Sequence, residues 1–376
     1  MFKFLKALSI FIGTVIGAGV FGIPYVVEKS GIIPGFFYFL ILGGTLLLIH
    51  LFLSEVILRT KDQCRLPGLA GKYLGGWGKI LVMISVVIGT TGALLAFLIL
   101  GGEFLKLLFS PFTNLSQTQL TFIFWAILSY FVFRGIKVIA SIELLTNIFF
   151  FLVMIVIMFF CLPKFDLPKI NILNVSNVFL PFGVILFSLI GWSAIPEIVD
   201  FLKFPKERKE IKKIIILASL IIILFYLAFA VAIIGVAGNN TSQDALSSLL
   251  PFLGQKIIVF GALAGLITIA DSFLILGLYL SNTFIYDLKL PKNLAALTVC
   301  GLPPLLFLVG FRSFIGILGF VGTMIGLIEG IIIILFFKKA KMTGDREPEY
   351  SFKIPSLLLY FLMAILILGA LSQFFI

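Results

Sequence analysis

Hydrophobic positions in this chain come in long unbroken runs, not in alternation. The runs cover residues 7–28, 33–57, 79–102, 119–134, 138–162, 178–201, 213–238, 255–285, 293–309, 313–337 and 354–375, with short polar segments between them. A helix crossing a bilayer needs roughly 20 apolar residues at about 1.5 Å each. Barrel strands would instead alternate polar and apolar positions over about ten residues. The pattern therefore predicts an all-α membrane protein of eleven transmembrane helices, a single domain over 1–376 held in a lipid bilayer. The first run has no small-residue cleavage site behind it and is followed by further spans, so it is expected to stay in the mature protein.

Composition agrees: 61% of residues are hydrophobic and 12% charged, with mean hydropathy +1.22, far from soluble usage. The net charge of +11 changes the picture only through its location. With a cytoplasmic amino terminus, all but six of the 28 Lys and Arg fall in cytoplasmic segments, the six being Lys29, Lys106, Lys164, Lys169, Lys256 and Arg312. This asymmetry predicts a multi-pass protein of the cell membrane, its N-terminus inside and, after an odd number of spans, its C-terminus outside. Orientation accounts for the basic clusters without nucleic acid. Cys64, Cys161 and Cys300 show no CxxC spacing, so neither a disulfide framework nor a zinc site is indicated. A single histidine, His50, and the absence of HExxH or GxSxG motifs argue against an enzyme.

The first span contains "GTVIGAGVFGIP", residues 13–24, four glycines and a proline where a helix in lipid should run unbroken. Its end, "GVFGIP" at 19–24, returns five helices later as "GWSAIP" at 191–196 with Gly, Ile and Pro in register. Five helices on, the second copy enters the membrane from the opposite side. The chain thus reads as a 5+5 inverted repeat, 1–162 against 178–337, with 354–375 as an additional helix. Glycine costs about 1 kcal/mol in a helix interior and proline about 3. A freed backbone group facing lipid costs several kcal/mol more, so a break is tolerated around a cavity. The half-helix after a break offers N–H groups to a carboxylate, and the half before it offers carbonyls to an ammonium or small cation. For the first span alone, close packing through the Gly13/Gly17 GxxxG pair is the simpler account. Matching interruptions in both halves point instead to a transporter binding site.

"GTVIGAGVFGIPY", "FSLIGWSAIPEI", "ADSFLILGLYLSNTFIYDLKLPK" and the loop "RLPGLAGKYLGGWGK" resemble the amino acid/auxin permease and hydroxy/aromatic amino acid permease branches of the amino acid–polyamine–organocation superfamily, whose members share the LeuT-type fold. The resemblance implies discontinuous helices 1 and 6 and an amino acid substrate, with aromatic or large neutral side chains favoured. It places the substrate carboxylate on the backbone of Ile16, Gly17, Ala18 and Gly19, and the amino group on Phe187, Ser188, Leu189 and Gly191. Trp192 would be an aromatic wall or gate, or else a packing residue.

Thr268, Asp271 and Ser272 stand at i, i+3 and i+4 and so share one helix face. An ionisable group at mid-span costs at least about 2.5–3.5 kcal/mol and is a functional candidate by default. By the same resemblance these three match positions where sodium-dependent members hold a cation, against carbonyls of Thr14 and Val15. A carboxylate in place of the usual hydroxyl leaves the coupling ion, proton or sodium, open; no other cofactor is expected. Glu329 is the second acid at depth, and His50 reads as a packing residue. These features predict an amino acid transporter driven by an ion gradient through alternating access. A membrane nutrient sensor of the same fold, binding without transport, is the alternative.

Overall fold

The computed structural model describes residues 2–62, 64–135, 140–286 and 288–375. Residues 138–139 of the fifth predicted span and Asp287 of the "YDLK" segment lie outside them, as does the side chain of Glu143. In chain order the helices are α1 (Phe2–Val15), α2 (Gly19–Ser30), α3 (Ile32–Arg59), α4 (Leu66–Leu74), α5 (Gly76–Phe109), α6 (Gln117–Arg134), α7 (Ala140–Cys161) and α8 (Pro181–Leu189). There follow α9 (Ala194–Phe201), α10 (Pro205–Arg208), α11 (Ile211–Ala237), α12 (Leu250–Leu253), α13 (Gln255–Tyr286), α14 (Lys292–Val309), α15 (Phe314–Thr343) and α16 (Ser356–Ser372).

Among the described residues nine helices are long and apolar enough to span a membrane, and the bent pair α1–α2 makes ten. The expected fourth span is α6, which forms a helix of 18 residues but is not one of the ten. Gln117, Gln119 and Arg134 at its ends, with Trp125 and Tyr130 within, dilute its apolar character. A capping box, in which Ser116 and Gln119 satisfy each other's backbone groups, starts this helix, and Gly135 at φ 65° ends it.

Long helix α15 is the spine, packed against α5, α8 and α3. Its glycines allow that closeness: a Cβ on Gly322 would strike the Gly183 carbonyl oxygen and stand 2.7 Å from the Phe187 nitrogen. Helix α11 lies along α1, α2 and α3 on another side, and α13 along α5 and α7.

The two ends of the bundle are tied by different segments. At the α2–α3 corner the segment after α7 lies over the chain, with Ile32 N–H donating to the Asn171 carbonyl at 2.8 Å and Asn174 N–H to the Ser30 carbonyl at 2.8 Å. Gly31 makes that corner at φ 98°, and a Cβ there would sit 2.6 Å from the Ile172 oxygen and the Leu173 Cα. Gly31→Ala therefore combines a backbone conformation open essentially to glycine alone with a collision against backbone. Thermal unfolding in detergent is expected to show a loss of about 3 kcal/mol or more. An unchanged melting temperature would contradict the corner's role.

At the other end the α15–α16 linker straps down the end of α3. Fully buried Glu55 accepts from Arg59, from the Ser351 hydroxyl at 2.9 Å and from the Phe352 N–H at 2.8 Å. Asp345, hydrogen-bonded to Lys72, has its carboxyl held below the usual carboxylate range by that contact.

Candidate functional site

Both interrupted helices are broken where glycine falls. Between α1 and α2 the chain turns by 57°, with Ile16 N–H still bonded back to Ile12 and Phe21 N–H reaching only to Ala18 at 3.2 Å. Among the described residues no acceptor is paired with the N–H groups of Gly17, Ala18 or Gly19. Those three donors stand at the positive end of α2. Between α8 and α9 the Ile190 N–H turns back to Phe187 at 3.2 Å, and helix resumes only at Ala194. The carbonyls of Leu189 and Ile190 have no partner among the described residues.

The two breaks touch. Gly19 lies so close to Ser188 that a Cβ there would collide with its hydroxyl and stand 3.0 Å from its Cβ. Gly191 is likewise pressed on Val15, and a Cβ there would come 3.3 Å from Phe11. The Ser188 hydroxyl is turned into its own helix, donating to the Val184 carbonyl at 2.7 Å. Phe187 is half-buried and Leu189 buried.

Two buried side chains from neighbouring helices complete this backbone junction. The Tyr226 hydroxyl of α11 lies 3.2 Å from the Val15 carbonyl and 3.0 Å from the Ser188 carbonyl, donating into both. His50 of α3 accepts the Gly191 N–H on Nε2 at 3.1 Å, which makes that nitrogen the unprotonated one. Its ring meets Phe11 edge-on with centroids 5.2 Å apart and lies 6.2 Å from Trp192. Neither residue was legible as a site residue in the sequence. Their one signal was a polar group at mid-span, and their partners lie 38 to 211 residues away.

Trp192 faces inward, at 5% exposure. Glu329 of α15, also buried, accepts the Ser85 hydroxyl of α5 at 2.9 Å.

On α13, Thr268, Asp271 and Ser272 do share a face. Ser272 stands across from Gly17, its hydroxyl 3.8 Å from where a Cβ would be. Asp271 accepts from Thr146 of α7 at a long 3.5 Å. Thr268 is buried, and its hydroxyl has no hydrogen-bond partner among the described residues, which suits an oxygen kept for a small cation. On the α1 side the arrangement differs from a simple cation cage. The Val15 carbonyl is engaged by Tyr226, and the exposed Thr14 side chain donates to the Ile10 carbonyl at 2.8 Å. Exposure is one-sided: Thr14, Ser193 and Glu197 are exposed and Gly17, Asp271 and Ser272 half-buried, whereas α2 is buried along nearly its whole length.

Known proteins share the sequence and the fold over nearly the whole chain. Glutamine transporter 2 of Aliivibrio fischeri is 22% identical over 366 residues, covering 93% of this chain and 90% of that protein. Among solved structures, the crystal structure of MhsT in complex with L-phenylalanine superposes with a TM-score of 0.72 at 15% identity, over 98% of this chain and 97% of that one. That likeness shows a common LeuT-type fold. The sequence matches the tryptophan/tyrosine permease family over residues 1–373, which favours the hydroxy/aromatic branch of the two it resembled. The chain belongs to the tryptophan/tyrosine permease family, a family of amino acid permeases.

Proposed function

We propose that this permease is a secondary active transporter that takes up L-amino acids, aromatic or large neutral ones by preference, with a proton or sodium ion. The observation that carries the proposal is the pair of facing breaks, which sets N–H groups and carbonyls without partners among the described residues at one junction. An amino acid's carboxylate would lie on the N–H groups of Gly17, Ala18 and Gly19 at the start of α2. Its ammonium would lie on the carbonyls that end α8, at Leu189 and Ile190. Asp271, Thr268 and Ser272 would hold the coupling cation, which brings a positive charge next to the bound substrate.

Eleven spans, α6 included, in a 5+5 inverted repeat give alternating access by rocking one half of the fold against the other. The one-sided exposure of Thr14, Ser193 and Glu197 supports an inward-facing state, with the first residue of the chain on the cytoplasmic side. The aromatic preference is supported by the family and by the L-phenylalanine bound to MhsT, while the A. fischeri relative makes glutamine the competitor to test.

Counterflow in proteoliposomes is the test. Vesicles loaded with unlabelled tryptophan, tyrosine or phenylalanine should draw in the same labelled amino acid. Glutamine loading should do so at least about ten-fold less well, the cost of leaving a side-chain amide unpaired if the site prefers aromatic side chains. Saturable binding without exchange would make the protein a receptor, and faster exchange of glutamine would reverse the preference.

A further inference from the structure

Helix ends at a break carry partial negative charge on their last carbonyls, and two such ends meeting in a low-dielectric interior ordinarily call for a cation between them. Here α1 ends at Val15 and α8 at Leu189. The carbonyls of Val15 and Ser188 converge on one point, and that point is the Tyr226 hydroxyl, 3.2 and 3.0 Å away. Tyr226 is fully buried, its ring 6.2 Å from Phe225 and 6.3 Å from Phe39. The phenol is therefore held by apolar packing on α11 and α3 with only its oxygen at the junction.

We propose that the Tyr226 hydroxyl is a built-in replacement for a cation at the junction of the two breaks, a positioning residue that ties the end of α1 to the end of α8 without an ion. The inference rests on the transport reading above and adds to it an ion count. The carbonyl of Val15 is already satisfied, so the junction needs no ion of its own, and the single cation of the cycle belongs on the α13 side, with Asp271.

A phenol donates one proton that two acceptors share, whereas a sodium ion can satisfy both acceptors fully. Removing the hydroxyl leaves two buried carbonyls facing each other with no donor, and a space about the size of the lost oxygen. The variant should consequently bind substrate less well when no small cation is present, and recover when one is supplied.

The experiment measures the dissociation constant of the amino acid that counterflow identifies, on purified wild type and Tyr226→Phe, in sodium-free choline medium and in high sodium. Tyr226→Phe is expected to weaken binding about ten-fold in choline, the loss of one buried hydrogen bond, and to regain at least half of that loss, on a logarithmic scale, in sodium. Wild-type affinity in choline overturns the proposal, and so does an equal loss in both media, which is what a packing role alone would give.

If Tyr226→Phe does not fold, Tyr226→Gln and Tyr226→Met decide. The two side chains are alike in size, and only glutamine can donate. Tighter binding by the glutamine variant in choline supports the proposal, and equal affinity overturns it. A wild type that binds no amino acid in either medium removes the transport reading and this inference with it. A wild type that binds, beside variants without the expected pattern, removes the inference alone.

Discussion

Asp271→Asn is expected to bring the accumulation ratio of a transported amino acid in energised vesicles down to about one, while exchange at equal concentrations on both sides continues at a reduced rate. The carboxyl group of Asp271 is the one acid on the α13 face that carries Thr268 and Ser272. An amide keeps the volume and removes the charge that would pair with a cation. Moving one positive charge inward along a potential of 100 mV contributes about 2.3 kcal/mol, which is roughly a fifty-fold accumulation. Without the carboxylate that contribution is lost, and with it the response to sodium or to external pH. The measurement is uptake of labelled substrate into vesicles at an imposed potential, with ion gradients varied one at a time. An asparagine variant that accumulates substrate to the wild-type ratio, with the same ion response, would remove Asp271 from coupling. Glu329→Gln serves as the paired control, since Glu329 is the other acid at depth and accepts a hydrogen bond from Ser85. Collapse of accumulation in that variant, and not in Asp271→Asn, would transfer the proton to α15.

What the sequence disclosed about the site was its backbone, because glycine and proline announce a broken helix wherever they recur. Gly17, Gly19 and Gly191 mark both breaks, and each lies within contact of the opposite helix or its neighbours. Side chains that satisfy the breaks were hidden for a different reason. Tyr226 lies within an apolar run whose pattern says only that a helix spans lipid, and its hydroxyl acquires meaning only when α1 and α8 converge on it. His50 was visible as a polar oddity, but its partner, the Gly191 N–H, exists only once α8 has ended. Most span boundaries were legible from hydropathy. The bounds of α6 were not decisive, because a helix with glutamines at one end and arginine at the other lies near the threshold for a membrane span. The strap over α3 was illegible too: Glu55 draws its partners from residues 351 and 352, and nothing local to either segment signals the other.

Gly19→Ala should weaken stability and binding together, because the collision it creates where the two breaks meet outweighs the helix propensity it gains. Gly19 opens α2, and alanine there improves helix propensity by up to about 1 kcal/mol. The collision at the junction is present without substrate too and outweighs that gain, so the melting temperature without substrate should fall. At the junction the new methyl group has nowhere to go. It would overlap the Ser188 hydroxyl and lie 3.0 Å from the Ser188 Cβ and 3.1 Å from its Cα. Rotating the hydroxyl relieves only the first overlap, and it does so by breaking the 2.7 Å bond to the Val184 carbonyl. The remaining two atoms are fixed to the backbone of α8, so α2 and α8 must part by several tenths of an ångström. Overpacking of this kind costs about 1–3 kcal/mol, and in the proposed complex it falls on the alignment of the N–H groups with the carbonyls. Substrate affinity should drop between about ten- and a hundred-fold. Gly17→Ala is the matched comparison, since a Cβ there meets only the Ser272 hydroxyl at an ordinary 3.8 Å, and its effect should be several-fold smaller. Ser188→Gly, which deletes both the hydroxyl and the Cβ, should restore much of the affinity in the double variant with Gly19→Ala, a coupling that a calorimetric double-mutant cycle reads directly. Additive losses in that cycle would mean that the contact between Gly19 and Ser188 is not what holds the two breaks in register.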